Sequence, residues 1–204
     1  MSIRVSIGIF REENAMLRYL IGFFITIGLV ILLIVLLFSG GSSTPTKKVP
    51  SSGKTLDSYA ATDAQVRITV DGPIVANQDH HQTQVTVDRN NVVVNLVRGY
   101  DNNVVTTQSF ANTQASYSAF LHSLEVLEFT IGNTSDETLK SEAGHCSSGV
   151  RYIFEIIQGG HDIERLWATS CGGPHSYNGN LTGTLNLFRR QIPVNSGLEL
   201  YGDF

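Results

Sequence analysis

Cysteine is nearly absent from this 204-residue chain, which has two, Cys146 and Cys171, alongside one tryptophan and two methionines. Cysteines so far apart form no C-x-x-C pair, the spacing in which a structural zinc site usually brings its ligands. Charge is scarce too, and residues 19–38 hold none. An apolar run without an ionisable group offers no proton or ion path, which excludes transport through it. Surplus positive charge is also missing from the larger part of the chain. Residues 55–204 hold eight Lys/Arg against sixteen Asp/Glu, a net −8, while residues 1–54 hold six against two, a net +4. An acidic domain repels phosphate backbones, so nucleic acid is not an expected partner. Gly159-Gly160 and Gly172-Gly173 lack the strand-to-helix setting of a phosphate loop and read as turns. No cofactor signature is present.

What is there begins with residues 19–38, whose only polar breaks are Tyr19 at the edge and Thr26. As a helix, twenty residues rising ~1.5 Å each reach ~30 Å, the hydrocarbon thickness of a bilayer. The expectation is one transmembrane helix acting as an uncleaved signal anchor behind a short tail, residues 1–18. A cleaved secretory signal is the rival reading, but secretory cores run ~7–15 residues and end at an A-x-A-like site, which the sequence after Phe38 lacks. Residues 39–55 follow, rich in Ser, Gly, Thr, Pro and Lys, with the composition of a solvated tether. Orientation is not decided by flanking charge. Arg4, Arg11 and Arg18 precede the span and Lys47, Lys48 and Lys54 follow it. Arg18 abuts the apolar core directly, which favours an N-terminus inside and residues 56–204 outside the cell membrane.

Residues 56–204 suit one domain. Residues 65–71 alternate apolar and polar as a half-buried strand does, and residues 83–88, 92–97 and 103–110 supply three more, with 88–91 as a hairpin turn. Over 113–127 the period changes: Tyr117, Phe120, Leu121, Leu124 and Leu127 fall at helical spacing, with Asn112 or Thr113 as the cap. A polar loop spans 132–144. Strands resume at 150–157 and 163–169, and residues 180–191 predict a closing helix with Leu181, Leu185 and Phe188 on one side, stopped by Pro193. The last eleven residues carry no assignment. This order predicts an α+β fold, an antiparallel sheet of about six strands with two helices on it.

The sheet-helix-hairpin-helix order over residues 64–192, with Phe129 closing the first helix and the Tyr-x-Phe-x-Ile run at 152–156, resembles the emfourin-like bacterial domains. That resemblance implies a protease-inhibitor-like module, although the apolar run, both cysteines and the Ser-Cys-Gly-Gly segment depart from the pattern. The Leu-Trp-x-Thr-Ser-Cys-Gly stretch at 166–172 is similar to one in uncharacterised single-pass bacterial membrane proteins, a likeness that implies no activity. The layout of an apolar helix leading into a sheet also resembles pilins, but Ile27 stands where they carry an acidic residue after the Gly22-Phe23 junction.

Cys146 and Cys171 flank the 150–169 hairpin at near-equal distance from its turn, which brings them close enough for a disulfide. That centring sets Glu155 opposite Asp162, an unfavourable pair that a shifted turn would relieve. A disulfide persists outside the cytosol and so agrees with an outward-facing domain. Two free buried thiols are a second reading. A third is a zinc site from His145, Cys146, Cys171 and His175, and a fourth a Cys171 nucleophile activated by His175 or His145. His80-His81 reads as a solvated loop pair, and His122 and His161 have no partner visible in sequence. Trp167 and Tyr152 suit either a core or a partner anchor. The expected function is a non-enzymatic, membrane-anchored extracytoplasmic module binding a protein or envelope component. The alternatives are a Cys/His-centred enzyme or metal-binding protein and a protease-inhibitor-like module.

Overall fold

The computed structural model describes residues 55–198, 200 and 201 and, near the N-terminus, residues 19 and 22–32. The chain divides into two units, Met1–Thr46 and Lys47–Phe204. In the first, residues 22–32 are helical with exposed side chains. Thr26 returns its hydroxyl to the helix, donating to Phe23 O at 2.8 Å and Gly22 O at 3.2 Å. Such back-bonding satisfies the run's internal hydroxyl without a partner from outside. Among the described residues no helix is long and apolar enough to cross a membrane, and the rest of the expected 19–38 span lies outside them.

The second unit holds β1 (Gln65–Asp71), β2 (His81–Val87), β3 (Asn91–Arg98), β4 (Asn103–Ala111), α1 (Gln114–Val126), β5 (Arg151–Gln158), β6 (His161–Thr169) and α2 (Leu181–Arg189). It is α+β. The first four strands form a meander, and α1 carries the chain across to place β5 on the free side of β1, giving the antiparallel order β4-β3-β2-β1-β5-β6. Strand alternation sorts the side chains between two faces. Val66, Ile68, Val85, Val94, Phe154 and Leu166 point to one face, where α1 covers them with Tyr117, Phe120, Leu121 and Leu124 and α2 adds Phe188. Both helices start where a side chain can accept an orphan backbone N–H. Thr113 accepts from Ser116 N and Asn180 from Gly183 N.

Two tyrosines tie this core together through their hydroxyls. Tyr117 Oη donates to Ala64 O at 2.8 Å, and Tyr177 Oη lies 2.8 Å from Thr184 Oγ1. Tyr117→Phe would strand the Ala64 carbonyl in the core, so urea unfolding should show a loss of ~1–2 kcal/mol. Burial pushes the Tyr177 phenol up to about 12 from 10.0, against the opposing hydrogen bond from Thr184. The raised value belongs to the folded state, so this contribution is complete below pH 10 and lost as pH climbs toward 12. Urea midpoints should therefore fall between about pH 10 and pH 12, by up to ~2–3 kcal/mol, and less in Tyr177→Phe.

The β5–β6 hairpin departs from the symmetric centring in the direction its charges favour. A two-residue turn, Gly159-Gly160, has φ of 60° and 79°, the left-handed pair that a tight primed hairpin turn needs. That turn sets Asp162 opposite Ile157, and a register shift between Ile156 and Ile157 then brings Glu155 opposite Arg165. Leu198, Leu200 and Tyr201, unassigned from sequence, pack against the helical core, and Thr83 Oγ1 on β2 accepts from Tyr201 N at 2.8 Å and donates to Tyr201 O at 3.0 Å.

Candidate functional site: the polar face of the sheet

The face turned away from the helices is polar, and the strand register arranges its charges. Arg67 on β1, Glu155 on β5 and Arg165 on β6 lie in one cross-strand row, and Asp71 and Arg151 lie in another. In the first row Arg67 Nε donates to Glu155 Oε2 at 2.6 Å. Arg165 then reaches Glu155 at 3.6 Å and grips both oxygens of Glu142 at 2.8 Å. Burial works against the Arg67 charge, but the Glu155 hydrogen bond and the Glu155 and Asp162 carboxylates outweigh it and raise its pKa further.

The second row ends in a buried network. Arg151 Nη2 donates to Asp71 Oδ2 at 2.6 Å and to Gly72 O at 2.7 Å, and the Arg151 side chain is 5% exposed. His80, with no exposed surface, sets Nε2 2.9 Å from Asp71 Oδ1 and Nδ1 3.1 Å from Pro73 O. A carbonyl only accepts, so Nδ1 carries a proton. Asp71 Oδ1, despite that ion-pair distance, and Arg151 Nε are the buried side-chain polar atoms left without a hydrogen bond among the described residues. Tyr100 stacks on His80 at 4.0 Å and bonds Val75 through both its oxygen lone pair and its hydroxyl proton. Gly99 makes this latch possible: its φ is +75°, and a Cβ there would meet Asn77 Oδ1 at 2.8 Å.

A loop folds over the β5–β6 end of the same face. Trp167, fully buried here and not in the helical core, donates Nε1 to Leu139 O at 2.6 Å and is stacked on by His145 at 5.0 Å. The loop is closed by Cys146 and Cys171, which are bonded, with Cα atoms 5.7 Å apart. Gly149 sits where a Cβ would come within 2.6 Å of Cys146 Sγ and 2.8 Å of Cys171 Sγ. Gly149→Ala should therefore weaken the staple, read as faster reduction by dithiothreitol than in the parent protein. Between this loop and the β3–β4 turn the face stays open as a groove of about 530 Å³, lined by Arg67, Asp71, Gln82, Gln84, Glu142 and Arg165 among others.

The residues singled out from sequence are thus dispersed. With both sulfurs consumed in a bond, neither Cys146 nor Cys171 can supply a thiolate to a metal or act as a nucleophile. His145 lies on Trp167, whereas His175 is exposed and directs Nδ1 to Gly173 O at 2.7 Å. No three metal-ligating side chains gather among the described residues. His80-His81 is corrected: His80 is buried in the Asp71 network, and only His81 stays near the surface, against Tyr201. His122 is exposed at 3.7 Å from Asp57, and His161 opens β6 opposite Gln158. Tyr152 packs in the helical core. Sequence reasoning missed Asp71, Arg151, Arg67, Glu155 and Arg165. Their signal was available in the alternation of β1, β5 and β6, whose polar members had to share a face once the strands paired.

The chain matches no protein-family model and no curated protein. The likeness to emfourin-like domains accordingly rests on element order, and the groove must be read from its own chemistry.

Proposed function

We propose that this protein is a membrane-anchored, non-enzymatic binding module whose polar sheet face takes up a protein or envelope component outside the cell membrane. The observation that carries the reading is the groove on that face. Its charges are already paired, Arg67 with Glu155 and Arg165 with Glu142, so they act as fixed hydrogen-bonding edges rather than free ions. Gln82, Gln84, Thr69 and Asn102 add neutral donors and acceptors between them. Such a lining suits a neutral polar ligand, a polypeptide backbone or a glycan, better than a phosphate or a lipid tail. The apolar run at 19–38 supports anchoring by its length, and the bonded cysteines support an oxidising compartment.

The test is a photoreactive amino acid introduced at Gln84 in the full chain in living cells, with Val126, on the helical side, as the control position. The reading expects a discrete adduct at Gln84 that is absent at Val126. Equal capture at both positions, or none at Gln84, would remove the groove from the function.

A further inference from the structure

The disulfide secures one wall of the groove. Glu142 lies shortly before Cys146 in the loop, and both of its carboxylate oxygens accept from Arg165 Nη2 at 2.8 Å. No residue from Ser141 to Ser148 is buried, so this stretch has little apolar packing to hold it. Beside the staple it is tied by the Glu142 grip, by His145 on Trp167 and by Ser147 O, which accepts from Ile74 N at 2.8 Å. A partly exposed ion pair, here with side chains 33% and 20% exposed, contributes less than the ordering of such a stretch costs. The bond between the sulfurs therefore keeps Glu142 on Arg165.

Two observations mark that bond as one that opens in the folded protein. Cys171 is exposed just beyond the end of β6, so an attacking thiolate reaches its sulfur while the sheet stays intact. Cys146 has a φ of 51°, left-handed backbone that a residue with a Cβ adopts at a cost and is free to leave once the bond is broken. The strands do not need the staple to stay paired. Ser170 N donates to Val150 O at 2.9 Å and Ser170 Oγ accepts from Val150 N at 2.9 Å, which closes the end of the hairpin between the two cysteines.

We infer that the Cys146–Cys171 bond is a redox switch on the groove, opened by a dithiol reductant, and that its state sets whether Glu142 is held on Arg165 or released. A reductant thiolate attacks Cys171 Sγ, and the electron pair of the broken S–S bond leaves on Cys146 Sγ, which takes up a proton. The reductant's second thiol, losing its proton, then attacks the reductant sulfur joined to Cys171. Cys171 leaves as a thiolate and is protonated, and the reductant ends as a disulfide. With Glu142 released, Arg67 and Arg165 share Glu155 alone, so a wall that balances two cations against two carboxylates becomes two against one. The regulatory meaning of this change rests on the function proposed for the groove, whereas the change itself is read at Arg165 and needs no ligand.

The test is arginine modification by phenylglyoxal in the full chain in detergent, followed residue by residue with peptide mass spectrometry. Dithiothreitol without denaturant, then capping of both thiols with iodoacetamide, should raise the rate at Arg165 by roughly fivefold, the factor for a partly exposed pair set free. Arg151, 5% exposed, should stay unreactive in both states, which separates release of the loop from unfolding. Glu142→Gln should show the fast Arg165 rate with the bond intact, and reduction should add little to it. Limiting glutathione, quenched with iodoacetamide, should leave its mixed disulfide on Cys171. A bond that opens only in urea, an Arg165 rate unchanged by reduction or by Glu142→Gln, glutathione on Cys146, or an Arg151 that reacts along with Arg165 would each overturn the inference. Failure to capture anything at Gln84 would leave these rates as stated and count against the function of the groove alone.

Discussion

Arg151→Met is expected to destabilise the domain by ~3–5 kcal/mol, the range for removing one partner from a buried ion pair. Asp71 would be left charged against His80 and without its 2.6 Å donor, and Gly72 O would lose its 2.7 Å contact as well. Urea denaturation reads this directly. Arg151→Met combined with Asp71→Leu should recover much of the loss, because an apolar pair of similar volume is often as stable as the ion pair it replaces. A single substitution costing less than about 1 kcal/mol, the ceiling for an exposed pair, would mean that solvent reaches Asp71. Asp71 also lines the groove, so releasing it by Arg151→Met should weaken any ligand held there while leaving the disulfide intact.

The second large effect belongs to the staple. Cys146→Ser with Cys171→Ser should cost ~3–4 kcal/mol on the chain-entropy model for a loop closed across 25 positions. Its local consequence is separable from the global one. His145 precedes Cys146 and covers Trp167, and Leu139 O holds the indole N–H. Once the loop end is released, water reaches the ring. Since Trp167 is the sole tryptophan, its fluorescence reports the loop alone, and emission should shift to the red well before urea unfolds the sheet. A double variant with parental emission would show that the Leu139 contact holds the loop without the sulfurs.

Much of this fold was legible because its two periods are clean. The alternation of β1 and the helical spacing of Tyr117, Phe120, Leu121 and Leu124 are local properties, and the structure reproduces both. Even the pairing of the cysteines survived a hairpin register that differs from the symmetric one. The register itself was hidden because Gly159-Gly160 can seat more than one turn, and the choice fell to Glu155 meeting Arg165. The site was less legible. Asp71, His80 and Arg151 meet only when β5 returns beside β1, a contact that no local pattern records. His80 and His81 are neighbours in sequence, yet His80 is fully buried and stacked by Tyr100 from another turn, while His81 is half-buried against Tyr201. Trp167 suited either a core or a partner anchor, and it is buried instead on the polar face beneath a loop that has no periodicity of its own.

Cysteine labelling of intact cells bears most directly on the central claim, that a stapled domain is held outside the membrane by the apolar run. In Thr134→Cys, an exposed position on the loop over Trp167, a membrane-impermeant maleimide should react with sealed cells, while Cys146 and Cys171 stay unreactive until a reductant is added. Labelling of the introduced thiol only after the cells are opened, together with free thiols at Cys146 and Cys171, would contradict the account.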